Sequence, residues 1–266
     1  MDRRRIYRTR NIRLIPGQGD RRGGKLSYAE WAHVIGIFQA LMFIHLDKKE
    51  GNKILDIGCG TGLLGIASEP FVASGGSCTG LDVMKEDIDF CRRHYPSPPF
   101  KFIHLNMKNP KYAPDQEDKK LPWPVEGESF DLALALSVWT HLNEEDAVFY
   151  MKEVRRVLKP GGKAIISFFL LDELYRESLG KRFKEPGRFH MTPQTDWIFD
   201  RPAYGSSSWF CPKWVKYPES AIGVTSEGLE RMLSEAGIEL AAQYQGNWKE
   251  APGVFFQDVL VLRRPI

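Results

Sequence analysis

Two features of this chain have the residue types and spacing for chemistry. The first is a glycine-rich turn after a short apolar run, Asp56-Ile57-Gly58-Cys59-Gly60-Thr61-Gly62. Glycines let the backbone approach a ligand where a Cβ would clash. A helix opening at such a turn also directs unpaired N–H groups at an anionic group. A dinucleotide calls for G-x-G-x-x-G. Here the third position is Leu63, and Asp56 would repel a pyrophosphate. The acid suits a ligand that carries an ammonium group and a second positive charge. The second feature is histidine, whose imidazole can take a proton near neutral pH. His141, in Ser137-Val138-Trp139-Thr140-His141-Leu142, follows an apolar run and is the leading candidate base. Its structural alternative is to cap or pack the next helix. His190, in a long aromatic connection, is the second candidate. His33, His45, His94 and His104 fall on expected helices or strands and read as structural.

These residues need elements to hold them. Ser27-Tyr28-Ala29-Glu30 reads as a capping box opening a helix to Leu46. Trp31, Val34, Ile35, Phe38, Leu41, Met42 and His45 form its apolar face. From Lys53 strands and helices alternate. Strands are expected at 54–57, 78–82, 100–105, 130–136 and 163–169, with helices at 61–72, 85–94, 143–158 and 225–236. Asn143 can cap the third of these helices, and Pro160-Gly161-Gly162 is expected to stop it. Segments 238–244 and 257–264 read as a closing hairpin. Repeated β-α units predict an α/β fold, a doubly wound and mostly parallel seven-stranded sheet with one terminal antiparallel hairpin strand.

Two long connections interrupt the pattern. Residues 106–129 are polar and proline-rich. Residues 170–224 hold Trp197, Phe199, Tyr204, Trp209, Phe210, Trp214 and Tyr217, too aromatic for a disordered segment. Ligands of open α/β sheets bind beyond the carboxyl ends of the strands, so this insertion is expected to cap an acceptor. Trp139, Trp197, Tyr204 and Trp209 are the candidate substrate contacts.

The bulk numbers fit a globular protein: 266 residues, 42% hydrophobic and 27% charged, with net charge +3. The charge is uneven. Residues 1–25 hold nine Lys/Arg against two acids, a net +7 that leaves −4 for the rest. Hence the division into a basic arm at 1–26, able to touch phosphates or to lie solvated, and a domain at 27–266 with its insertion at 170–224. The four cysteines are scattered without metal spacing, which favours reduced thiols and a cytoplasmic setting. Neither a secretory signal, a membrane span nor a metal site is expected.

The glycine turn resembles the first motif of the class I S-adenosylmethionine (SAM)-dependent methyltransferases. Further matches follow in order. They are Leu81-Asp82-Val83 after the second strand, Phe130-Asp131-Leu132 opening the fourth, Leu136-Ser137-Val138 ending it, and Val157-Leu158-Lys159-Pro160-Gly161-Gly162 before the fifth. The resemblance implies SAM as cofactor. It implies Asp56, Gly58, Cys59, Gly60, Thr61 and Gly62 as its cradle, and Asp82 and Val83 at its ribose. Asn106 and Met107 would lie beside the adenine, where the family often has an acid, and Leu136 and Ser137 by the methionine end. The tail, with Gly246-Asn247-Trp248 and Phe255-Phe256-Gln257-Asp258-Val259, resembles bacterial small-molecule and saccharide methyltransferases. O-methylation of a saccharide or secondary-metabolite hydroxyl is therefore the leading expectation, with a small-molecule acceptor as partner and a homodimer left open. The rivals are an RNA or protein methyltransferase using the basic arm, a non-catalytic SAM-binding protein, and an NAD-dependent oxidoreductase. The first lacks an Asn-Pro-Pro-Tyr type motif and an appended RNA-binding module, so nucleic acid is disfavoured. The last is opposed by Leu63.

Overall fold

The computed structural model describes residues 11–23, 25–115, 120–188 and 190–266. The first ten residues of the basic arm lie outside it. Helix α1 (Tyr28–His45) opens on the expected capping box: the Ser27 hydroxyl accepts the Glu30 N–H, and the Glu30 carboxylate accepts the Ser27 N–H. Strand β1 (Lys53–Ile57) leads to α2 (Leu63–Ser68), β2 (Ser77–Asp82) and α3 (Lys85–His94). Strand β3 (Phe100–His104) ends at the first long connection, after which come β4 (Phe130–Ala135), α4 (Glu144–Val157) and β5 (Leu158–Phe168). The second connection contains β6 (Leu170–Leu171), α5 (Glu173–Ser178), β7 (Arg201–Pro202), β8 (Trp209–Cys211) and β9 (Gly223–Thr225). Helix α6 (Ser226–Ala236) and strands β10 (Glu239–Tyr244) and β11 (Asp258–Arg263) complete the chain.

Seven strands form one sheet in the order β10-β11-β5-β4-β1-β2-β3. All its pairings are parallel except those of β11 with β5 and β10, so a single strand runs against the rest. This is the expected α/β sheet. Ile54 packs with α1, α2 and α3 on one face, whereas Leu55 and Ile57 pack with α4 and α6 on the other. Burial on both faces explains why the strands read as apolar runs rather than as alternating patterns.

Three details depart from the sequence reading. Helix α2 stops at Ser68 and gives way to a 3-10 turn at Glu69–Phe71, because Pro70 has no N–H to continue it. Pro160-Gly161-Gly162 lies inside β5, where the register against β4 shifts between Phe130 and Leu132, so it is a bulge rather than a stop. The insertion builds its own four-stranded sheet, β6-β9-β8-β7. Strands of two or three residues carry too little periodicity to be read in advance.

The insertion has a core of its own, with the Phe169 ring packed 5.0–5.1 Å from Trp197, Phe199 and Trp248. It is tied to the main sheet by Lys249, whose fully buried ammonium lies 2.7 Å from Asp172 and 2.8 Å from Asp258. Asp258 also accepts the Leu170 N–H and the Trp248 indole N–H. The described part of the basic arm lies along the domain: Ile15 is buried, Trp31 donates to the Lys25 carbonyl, and Arg22 pairs with Asp87 at 2.9 Å. The four cysteines are free and buried. Among the described residues no helix is long and apolar enough to cross a membrane.

Candidate active site

From β1 the chain winds toward β3, and from β4 it winds toward β10. Where these directions part, beyond the carboxyl ends of the strands, an open sheet leaves a crevice. A cavity of about 1010 Å³ occupies it. Gly58 and Gly60 form part of its lining. Gly58 has φ +65°, and a Cβ there would meet Val138 Cγ2 at 2.5 Å. The turn therefore excludes a side chain by conformation and by contact. Gly62 does the same at φ +91° against Tyr95. Asp82, at the end of β2, accepts the Gly60 N–H at 2.7 Å on one oxygen and the Met84 N–H at 2.8 Å on the other. Each oxygen keeps a lone pair for a ligand hydroxyl, and Asp82 lines the cavity. Burial raises its pKa while these N–H bonds pull it back down. A side-chain-free turn beside a carboxylate with spare acceptors fits the ribose and methionine portions of SAM. Val83, Met107, Leu136 and Ser137 line the same cavity.

The remaining expected cofactor contacts lie elsewhere. Asp56 shares the face of β1 that carries Ile54, since side chains alternate along a strand. It is buried beneath the turn and absent from the cavity lining. Its Oδ2 has no hydrogen-bond partner among the described residues, and burial, with Asp82 nearby, pushes its pKa well above the carboxylate range. Cys59, Thr61 and Gly62 also lie below the surface and outside the lining. They shape the turn from beneath. Asn106 is exposed and points away, whereas Leu105 and Met107 on either side face inward. With α2 only six residues long, the cradle rests on the shape of the turn rather than on a long helix.

The same cavity also gathers His141, Tyr112, Trp139, His190 and Trp197, at the end where the acceptor is expected. His141 sits in a 3-10 turn after β4. Its Nδ1 lies 2.7 Å from the Glu219 carbonyl, which can only accept, so Nδ1 carries the proton. Nε2 is then the basic lone pair, and it accepts the Tyr112 hydroxyl at 3.2 Å. Burial, reinforced by the charge of Lys111, lowers the imidazole pKa to about 4, so His141 is neutral at physiological pH. His190 is more fully engaged: Nε2 lies 3.0 Å from Glu250 and Nδ1 3.1 Å from Thr192, which also accepts the Trp197 indole N–H. Trp139 is a buried wall, its N–H donated to the Ala147 carbonyl. Tyr204 and Trp209 lie outside the cavity. The Tyr204 ring is exposed and its hydroxyl is spent on the buried Glu219 carboxylate, while Trp209 is packed into the core from β8.

Three lining residues escaped the sequence reading. Gln257 accepts hydroxyl hydrogens from both Ser137 and Ser167, which fixes the loop after β4. Arg22, paired with Asp87, brings the basic arm to the cofactor end. Tyr112 comes from the 106–129 connection. The signals were present, as a tail resemblance, an excess of arginine and an aromatic in a polar connection, but none specified a location.

Residues 55–166 match the family model described as a methyltransferase domain. A ubiquinone biosynthesis O-methyltransferase of Pelagibacter ubique is 34% identical over 115 residues, 43% of this chain and 41% of that protein. A sterol 24-C-methyltransferase of Gibberella zeae is 30% identical over 148 residues, 54% of this chain and 32% of that protein. The chain thus spans well under half the length of these curated relatives. An S-adenosylmethionine-dependent methyltransferase from Mesorhizobium loti superposes with a TM-score of 0.55 at 18% identity, covering 85% of this chain and 96% of that one. That last likeness concerns the fold. The matched methyltransferase-domain model over residues 55–166, the strand order and the glycine turn agree on a Rossmann-like methyltransferase fold.

Proposed function

We propose that this chain transfers a methyl group from SAM to a hydroxyl oxygen of a small organic acceptor, with His141 as general base. One observation carries the reading: a single cavity joins the glycine turn and Asp82 at one end to a neutral imidazole with a basic Nε2 at the other. The O-methyltransferase among the relatives supports oxygen as the acceptor atom, and the tail resemblance favours a saccharide or secondary metabolite. The open acceptor end argues against a protein that merely holds SAM. The described part of the arm is engaged with the domain at Asp87 rather than standing free for nucleic acid.

When bound, SAM supplies a methyl carbon already activated by its sulfonium, so alignment dominates the work left to the protein. Gly58, Gly60 and Asp82 would hold the cofactor, and the Ser137–Gln257 contact would keep the loop beside its methionine end in place. His141 takes the hydroxyl proton on Nε2 while its Nδ1–H stays on the Glu219 carbonyl. Burial disfavours the resulting imidazolium, so the proton must be passed on quickly.

The test is transfer of radiolabelled methyl from SAM into fractionated lysate. Label in small molecules or glycans is expected, and label in RNA or protein instead would overturn the acceptor class. His141→Ala should lower kcat about 10²- to 10⁴-fold with S-adenosylhomocysteine affinity unchanged by calorimetry. An unaltered kcat would move the base role to His190.

A further inference from the structure

The partner of His141 in this cavity is informative. The Tyr112 hydroxyl donates to Nε2, the lone pair that the reaction needs, at 3.2 Å. The two rings meet edge to face, with centroids 5.2 Å apart. The Lys111 ammonium lies 4.8 Å from the centre of the Tyr112 ring. Tyr112 belongs to a tight turn, its N–H and that of Lys111 both donated to the Asn109 side chain. Tyr112 is 39% exposed, so it can leave without opening the core. The base, a ring and a cation above the ring are therefore already arranged around a phenol.

We propose that Tyr112 occupies the acceptor site, and that the acceptor is a hydroxylated aromatic ring that displaces it and places its own O–H on His141 Nε2. This rests on His141 acting as base in hydroxyl methylation. Rotation of the Tyr112 side chain frees Nε2 while the Asn109-held turn keeps Lys111 in place, the acceptor ring takes the Lys111 cation, and the neighbouring stacked pair of Trp123 and Tyr150, which also lines the cavity, offers a flat apolar wall. In the step itself the acceptor O–H bond breaks and its proton goes to Nε2. The oxygen's electron pair forms the new O–CH₃ bond, and the S–CH₃ bond breaks with its electrons left on sulfur. Acidity points the same way. The imidazole pKa is held at about 4, and a phenol, near 10 like the tyrosine hydroxyl, lies far closer to it than the much less acidic alkyl hydroxyl. So weak a base selects the more acidic hydroxyl, which turns the expectation away from saccharides.

Catechol and methyl α-glucoside are suitable probes, with S-adenosylhomocysteine-loaded protein for calorimetry and labelled SAM for turnover. Catechol should bind the loaded wild type, and Tyr112→Phe should bind it about fivefold more tightly, since one competing hydrogen bond is gone. His141→Ala should lose that gain. Methyl transfer to the glucoside should be slower than to catechol by at least about a hundredfold. Weaker catechol binding in Tyr112→Phe, or no catechol heat in either protein, overturns the proposal. Preferred methylation of the glucoside sinks the aromatic acceptor and leaves hydroxyl transfer standing. Transfer to an amine or thiol probe with neither hydroxyl modified removes both.

Discussion

The two ends of the cavity are built from different materials. The cofactor end is main chain: Gly58 and Gly60 of one glycine turn, with one carboxylate 22 positions on from Gly60, accepting the Gly60 N–H. The acceptor end is side chain, held by distant partners. His141 is fixed by Glu219, 78 positions away, and His190 by Glu250, 60 away. A main-chain site needs only the turn to form, so it survives replacement of everything above it. A side-chain site has to be rebuilt whenever its roof changes. The comparison therefore predicts that the two ends can be damaged separately.

The largest effect should come from the anchor of the roof. Lys249→Met leaves Asp172 and Asp258 facing each other without the buried ammonium between them. Removing one partner of a buried pair costs about 3–5 kcal/mol, to be read from urea unfolding. S-adenosylhomocysteine affinity of the folded fraction should hold. A parallel loss of affinity would mean that the ends are one unit. Gly58→Ala is the converse experiment. The new Cβ meets Val138 Cγ2 at 2.5 Å in a left-handed backbone, and cofactor affinity should fall about a hundredfold, near 3 kcal/mol, while the fold persists. Normal affinity by calorimetry would mean that the turn is not the cradle.

The same contrast decides what could be read from the sequence. The sheet and its helices were legible because apolar runs, Asn143 and the capping box at Ser27 act locally. Gly58, Gly60 and Asp82 were legible because a turn between strand and helix is a local feature too. Of Asn106 and Met107, both expected beside the adenine, alternation after β3 sends Met107 inward and Asn106 out. Tyr204 and Trp209 look like Trp197 in sequence. Only the three-dimensional path of the insertion turns one ring toward the cavity, one into the core and one to solvent. Tyr112 and Gln257 carry no local signature, because what defines them is their distance to His141 and Ser137.

His141 allows the acceptor end to be tested by pH. Its folded pKa, about 4, lies below the value near 6.5 of an unfolded chain. The folded state thus binds fewer protons. The contribution is fully present above pH 6.5 and is lost as pH falls from there to 4, about 3 kcal/mol in all. Asp56 and Asp82, whose pKa values are raised by burial, bend the curve the other way. The readout is therefore the difference between the wild type and His141→Asn, which cannot titrate. The wild type's stability relative to His141→Asn should drop by about 3 kcal/mol as pH falls from 6.5 to 4, and a constant difference would mean that folding leaves the His141 pKa unchanged.

The smallest effect concerns a residue with an indirect hold on the site. Tyr204 donates to the buried Glu219 carboxylate at 2.8 Å, and the main-chain carbonyl of Glu219 holds His141. Tyr204→Phe leaves a buried carboxylate short of one donor, a loss of about 1 kcal/mol. If Tyr204 only braces the turn under His141, stability and kcat should slip together while acceptor KM stays put. A rise in KM with kcat unchanged would instead bring Tyr204 into contact with the acceptor. The exposed ring would then have to swing inward, and the roof of the acceptor end would be a moving part rather than a fixed wall.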